Sequence, residues 1–312
     1  MKIRNITLAL LCLGIFLLVF SNFSRYFHLD FPIKPMEVKQ RFSLEGIVDE
    51  CSGLCYSKDG LWMLNDGGNN SEVFLLKSRD YENWIHLGES SASTNMQLQR
   101  FILPVKNRDW EAIECDGIHL YIGEFGNNNG NRKDLRVYKV NIEAMKRYTM
   151  LRNAGIKDSM NPLQVDTIGF EYNNQRKFTR KKLQNFDCES MIFAKDSLYL
   201  FTKNWKNFQS NVYRIPAKKG DYVAQKIGQF NPGHLLTDAS LLGEWVYFSG
   251  YTVMGAQRFS KVHFGTWTEF QTEQIKLKPA QVEGIFVDGK NKKVVFSTEK
   301  RKTQNAELFI GE

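Results

Sequence analysis

Glu111, Glu189 and Glu283 each stand third in a short pattern that recurs along this chain: an acid, any residue, Glu or Ser, a small residue, a large apolar one. The copies read Glu50-Cys51-Ser52-Gly53-Leu54, Asp109-Trp110-Glu111-Ala112-Ile113, Asp187-Cys188-Glu189-Ser190-Met191, Asp238-Ala239-Ser240-Leu241-Leu242 and Gln281-Val282-Glu283-Gly284-Ile285. Gln281 departs from the leading acid and Leu241 from the small residue. Positions i and i+2 of a strand point the same way, so the first and third positions of each copy are expected to share a face or a mouth. If the copies converge, Glu50, Asp109, Glu111, Asp187, Glu189, Asp238 and Glu283 place seven carboxylates around one axis. Charges buried together without partners cost several kcal/mol each, so a cation, a Lys or Arg side chain, or protons must offset them. A hard cation suits such a set. Calcium takes about six to eight oxygens in flexible geometry, whereas magnesium prefers fewer protein ligands. A second reading stays open beside the metal site: the acids cap turns and accept hydrogen bonds from neighbouring backbone, holding the fold together.

Other residues are expected near the same mouth. Asp66, Glu124, Lys203 and Glu299 stand at the ends of apolar strands that follow the motifs. Gly126–Arg132 is rich in Gly and Asn, and its amides, with Asn127 and Arg132, could cradle an anion. A tight loop that uses the tolerance of Gly and Asn for positive φ is the alternative reading. Lys203-Asn204-Trp205 and Trp110 place aromatic rings near strand ends, and Trp110 is expected to turn away from its flanking acids into an interface between sheets. There is no Gly-x-Ser-x-Gly and no His-Glu-x-x-His, so a nucleophilic hydrolase lacks support.

The elements that must position these residues also repeat. After each motif comes a polar turn and an apolar-aromatic strand: Leu61–Leu64, Leu120–Ile122, Leu198–Phe201, Val246–Phe248 and Val294–Phe296. Third strands are expected at Glu72–Leu76, Leu135–Tyr138, Asn211–Ile215, Lys261–Phe264 and Glu307–Ile310, and fourth strands at Leu98–Leu103, Gln164–Phe170, Val223–Phe230 and Glu273–Leu277. Repeated antiparallel units that cannot bury both faces alone describe an all-β fold, a β-propeller. Five blades are expected, with Arg41–Glu45 supplying the last outer strand and closing the ring. Six is the alternative, with a blade hidden between Lys139 and Phe186, a stretch that also carries one expected helix, Ile142–Asn153.

Of 312 residues, 42% are hydrophobic and 24% charged, which excludes a disordered chain. The net charge of +8 is mild and spread out, and it points to no nucleic-acid partner. Five histidines without close pairing argue against a His-based zinc site. Lys2 and Arg4 precede an apolar run from Ile6 to Phe20, so residues 1–24 read as a signal peptide or a membrane anchor, 25–38 as a linker and 39–312 as the propeller. Either reading exports the protein, as a membrane-anchored domain facing outside the cytoplasm or as a secreted or periplasmic one. Cys51, Cys55, Cys115 and Cys188 allow three pairings; the reading adopted is that they are small buried hydrophobes.

The acid-x-Ser/Glu-Gly-apolar motif resembles the SdiA-regulated family of secreted or anchored β-propellers, which is distantly similar to NHL-repeat propellers and more loosely to β-propeller phytases. Asp109–Ile113 followed by Tyr121–Arg132 is similar to a stretch of other exported propellers. The resemblance spans about residues 40–312 and implies a five-bladed ring with a calcium site in the channel region. It carries over best to Glu111, Glu189 and Glu283, while Ser52, Ser240 and Gln281 depart from it. The expected function is an exported calcium-binding propeller that takes a ligand or protein partner at the channel mouth. A metal-dependent hydrolase of phosphoesters or lactones is the alternative.

Overall fold

A computed structural model describes residues 35–77, 98–156, 162–268, 271–275, 281–302 and 304–311. The expected signal or anchor at 1–24 lies outside the described residues. Among the described residues no helix is long and apolar enough to cross a membrane.

The chain opens with β1 (Pro35–Met36) and β2 (Val38–Ser43), so strand structure begins inside the stretch read from sequence as linker. Five antiparallel meanders follow, each of four strands once β2 is counted with the last. The first is β3 (Cys51–Ser57), β4 (Gly60–Asn65), β5 (Glu72–Leu76) and β6 (Leu98–Ile102). The second is β7 (Trp110–Cys115), β8 (His119–Glu124), β9 (Arg136–Asn141) and, after helix α1 (Ile142–Asn153), β10 (Val165–Tyr172). The third is β11 (Cys188–Ala194), β12 (Ser197–Thr202), β13 (Ser210–Pro216) and β14 (Gly220–Phe230). The fourth is β15 (Leu235–Leu242), β16 (Trp245–Tyr251), β17 (Gln257–His263) and β18 (Gln271–Ile275). The fifth is β19 (Gln281–Asp288), β20 (Lys293–Glu299) and β21 (Glu307–Gly311).

β2 pairs with β21, with Arg41 opposite Phe309 and Ser43 opposite Glu307, so the N-terminal strand completes the last sheet. β1 adds a parallel strand to β18, and β10 pairs in parallel with β14, which joins the second and third meanders into one eight-stranded sheet. Between Lys139 and Phe186 the described residues form only α1 and β10 beyond the end of β9.

Burial explains the arrangement. β3 and β11 are buried along nearly their whole length, whereas β14 alternates in exposure. A first strand covered on both faces needs neighbours on both sides. The described core divides into five hydrophobic clusters, and each is built from two adjacent meanders, the fifth meander packing back on the first through Val295, Leu308 and Ile310 against Leu54, Leu61 and Met63. First strands touch in cyclic order, β3 to β7 to β11 to β15 to β19 and back to β3. That is a propeller-like all-β fold. Trp110 is fully buried in the cluster between the first and second meanders, away from its flanking acids as expected. The described cysteines are free thiols.

Candidate functional site: an acidic cavity at the start of the first strands

Each first strand carries a one-residue irregularity in its pairing with the second strand, and this bulge decides where the motif acids point. In β7 the register shifts between Trp110 and Ala112, leaving Glu111 as the extra residue. In β11 the extra residue is Glu189, in β19 it is Glu283, and in β3 the shift falls at Ser52-Gly53. A bulge bends its strand and re-aims one side chain, which is how a glutamate leaves the sheet face for the mouth. In β15 the shift lies between Leu236 and Asp238, so the bulged residue is Thr237. The fourth motif therefore aligns three residues earlier than the sequence pattern suggests. Asp238 occupies the small-residue position of Gly53, Ala112, Ser190 and Gly284, and Ser240 is not the counterpart of Glu111.

Counting from the bulges gives a second set of equivalent positions at the ends of the second strands: Asp66, Phe125, Lys203, Tyr251 and Glu299. All positions of the two sets except Thr237 and Phe125 line one cavity of about 190 Å³. Glu50, Asp66, Glu111, Glu189, Lys203, Glu283 and Glu299 line it, together with Ser52, Asn128, Trp205, Tyr251 and Gln281. Thus seven of the expected site residues share one space. Glu50 lies at its exposed rim; Glu111, Glu189 and Glu283 are buried.

Crowding and burial act together on these acids. Glu111 is pushed well above the ordinary carboxylate range by burial first and then by Glu189, Asp66 and Asp109. Burial raises Asp66 to about 7, with Asp109, Glu283 and Glu299 adding to the shift. Burial likewise brings Glu283 to about 7 against the pull of Lys203, and raises Glu299. The cavity supplies one counter-charge of its own. Lys203 Nζ lies 3.1 Å from Glu189 Oε1 and over the rings of Tyr251 and Trp205, at 5.2 and 5.6 Å from their centroids. Although burial alone would neutralise this ammonium, Glu189 and the neighbouring anions hold it charged.

On the other side of the cavity, Asp66, Asp109 and Glu111 each offer a carboxylate oxygen within 4.8 Å of the other two. Arg132 approaches Asp109 only at 3.7 Å and spends its short contact, 2.6 Å, on Glu124. Among the described residues no donor reaches the Glu111 carboxylate, although the residue is 95% buried, at 5% relative exposure. Gly126 presses against this group: a Cβ there would collide with Glu111 Oε1 and the Asp109 carboxyl. Gly67, whose N–H donates to Asp66, lies equally close to Asp109. Three hard oxygen donors, one of them a carboxylate that no described donor reaches, and a glycine-walled approach fit a hard cation.

Five expected residues serve elsewhere. Glu124 Oε2 accepts from the N–H groups of Arg108 and Asp109, and its Oε1 pairs with Arg132. Arg132 also donates to Gly126 O and Asp134. Asn127 Oδ1 accepts from Arg132 N, its Nδ2 donates to Phe186 O and its N–H to Asp187 Oδ1. The Gly/Asn loop is thus a self-bonded scaffold behind the cavity, and Asn128 is the residue it contributes to the lining. Asp187, raised to about 6 by burial, anchors that loop. Asp238 is fully buried, and its Oδ2 accepts from Leu54 N and Ile285 N at 3.0 and 2.9 Å, tying β15 to β3 and β19. For Asp238, the cross-linking reading of the motif acids applies.

Sequence reasoning did not single out Tyr251. Its signal was available only by counting from the bulge, because nothing in its residue type matches Lys203, Asp66 or Glu299.

The fold and cavity define a β-propeller with an acidic mouth. No protein-family model matches the chain, and no curated protein sequence matches it. In shape it is similar to glutaminyl cyclase of Myxococcus xanthus (TM-score 0.48, 10% identity, covering 89% of this chain and 97% of that one). It is also similar to the calcium-binding protein regucalcin of Agrobacterium tumefaciens (TM-score 0.45, 10% identity, 90% and 95% covered) and to the WD40 repeats of RRP9 (TM-score 0.43, 8% identity, 90% and 100% covered). The fold class rests on the strand pairing itself.

Proposed function

We propose that this protein is an exported five-bladed β-propeller of the SdiA-regulated type that holds calcium on Asp66, Asp109 and Glu111 and uses the cavity mouth to take a ligand or protein partner. The observation that carries this reading is the buried Glu111 carboxylate, which no described donor reaches, beside two further carboxylates. Lys203 spends its short contact on Glu189, and burial and crowding leave the acids of this corner holding protons that an ion would displace. Bound there, calcium would supply the missing positive charge and accept the ligand's oxygens. The cyclic packing of five meanders supports the blade count. Lys2, Arg4 and the apolar run after them support export, with the membrane reached through that segment if it is retained.

Calcium-linked thermal stability tests the site. At about 100 times its Kd, an ion bound only by the folded state adds roughly 2.7 kcal/mol. In a domain of this size that is a rise of about 5 °C in Tm. The wild type is expected to show it and Glu111→Gln to lose it. A wild-type Tm indifferent to calcium removes the ion from this reading.

One observation favours a second reading, a calcium-dependent hydrolase of phosphoesters or lactones. Glu283, pushed to about 7 and lining the same cavity, has the protonation range of a general base at neutral pH. Calcium-dependent turnover of a phosphoester or lactone, lost by about 100-fold or more in Glu283→Gln, is the expected mark of general-base catalysis. Turnover that survives the substitution rejects Glu283 as the base.

A further inference from the structure

We propose that Cys55, Glu114 and Cys115 form a second metal site, independent of the acidic cavity, that takes a zinc-class dication through two thiolates and a carboxylate. Cys55 lies three residues beyond Ser52 on β3, and Glu114 three beyond Glu111 on β7, so the cluster sits about 10 Å further along the same pair of neighbouring strands. The two sulfurs and one Glu114 oxygen lie within 4.8 Å of one another. Around tetrahedral zinc, with Zn–S of about 2.3 Å and Zn–O of about 2.0–2.2 Å, donor atoms stand roughly 3.3–3.8 Å apart. A contraction of about 1 Å closes the set, within reach of side-chain rotation.

The supporting contacts suit a ligand set. Glu114 Oε1 accepts from Cys115 N at 2.7 Å and Oε2 from Phe193 N at 3.4 Å, which fixes the carboxylate from both sides, as outer partners of a metal ligand do. Cys115 Sγ donates to Tyr56 O at 3.2 Å, a bond that a thiolate would release on binding. Cys55 is buried, while Glu114 and Cys115 are half-buried, giving an inner ligand and an accessible side. Two sulfur donors select a borderline-soft ion over calcium. Burial raises Glu114 to about 8, so the balance is that the dication enters, two thiol protons and the Glu114 carboxyl proton leave to solvent, and water completes the fourth position.

Cobalt(II) reports the site optically. The full-length protein, kept reduced with a phosphine, is titrated with cobalt and then zinc. The expected result is one cobalt per chain with a sulfur-to-cobalt charge-transfer band, displaced by zinc. The band is expected to vanish in Cys55→Ser and Cys115→Ser and to persist in Glu111→Gln, which separates this site from the acidic cavity. A wild-type spectrum without the charge-transfer band overturns the proposal whether or not the variants fold. So does a band that survives in both serine variants, or that disappears with Glu111→Gln. Non-reducing peptide mapping after zinc loading gives a further check. A Cys55–Cys115 disulfide that persists in excess zinc would identify the pair as a cross-link and also overturn it.

Discussion

Replacing Lys203 by Met is expected to destabilise the protein by about 3–5 kcal/mol at pH 7.5, the usual cost of stranding one member of a buried ion pair. Lys203 is 5% exposed, its ammonium is 3.1 Å from Glu189, and Glu189 is 4% exposed. Methionine preserves the packing against Trp205 and Tyr251, so the loss is mainly one of charge. Without the ammonium, Glu189 faces Asp187, Glu283 and Asp66 with nothing to offset them. Its folded-state value is then raised further above the unfolded one. Stability from such a group is fully present below the unfolded value near 4.5 and is lost as pH rises through the folded value. The deficit measured by urea unfolding should therefore shrink from pH 7.5 to pH 5. Adding Glu189→Gln to the Lys203→Met background should restore most of the loss, and the double-mutant cycle isolates the pair. A single variant as stable as wild type at pH 7.5 would show that the cavity carboxyls already carry protons and that Lys203 neutralises nothing.

The strand plan was largely legible in the residues, and the physical reason is periodicity. Turn residues such as Asp116-Gly117 and Asp288-Gly289, flanked by apolar-aromatic runs, fall where β7 turns into β8 and β19 into β20. The helix at Ile142–Asn153 begins where Asn141 caps it, accepting from Ala144 N at 2.9 Å. The acidic motif was legible as a recurrence, but its register was not, because a bulge slips the pairing by one residue without leaving a mark in composition. Asp238-Ala239-Ser240 imitates the pattern, yet the apolar pair Leu235-Leu236 is what fits the interface, and this draws the bulge to Thr237. Thr237 keeps the bulge by donating to Val282 O, as Ser52 does to Glu111 O. Two of the five bulge positions are therefore hydroxyl clamps on the next strand, and the other three supply carboxylates to the cavity. The loop residues Asn127 and Arg132 stand outside the cavity lining for a different reason. Asn and Arg carry several donors and acceptors each, and a turn crossing close behind the cavity uses them up locally before any ligand can.

Calcium affinity should rise by roughly 100- to 10,000-fold between pH 5 and pH 7 if binding displaces two protons for roughly half to all of that interval. The raised acids set the window. Asp66 moves from an ordinary value of 3.8 to about 7, Glu283 from 4.5 to about 7, and Glu111 also rises. Between the unfolded and folded values the native state binds more protons than the unfolded chain, so without the ion these groups lower stability as pH climbs from about 4 to about 7. An ion at Asp66, Asp109 and Glu111 requires the ionised forms, so it competes with protons over the same range and binds tighter as they leave. Isothermal titration in two buffers of different ionisation enthalpy would read both the affinity and the protons released. Asp66→Asn should flatten the pH dependence by one proton, while Glu50→Gln, at the exposed rim, should leave it nearly unchanged. Affinity that is constant from pH 5 to pH 7 would mean that the cavity acids are ionised before any ion arrives. The charge that must be offset would then already be met within the protein, and Glu111 would have no claim on a metal.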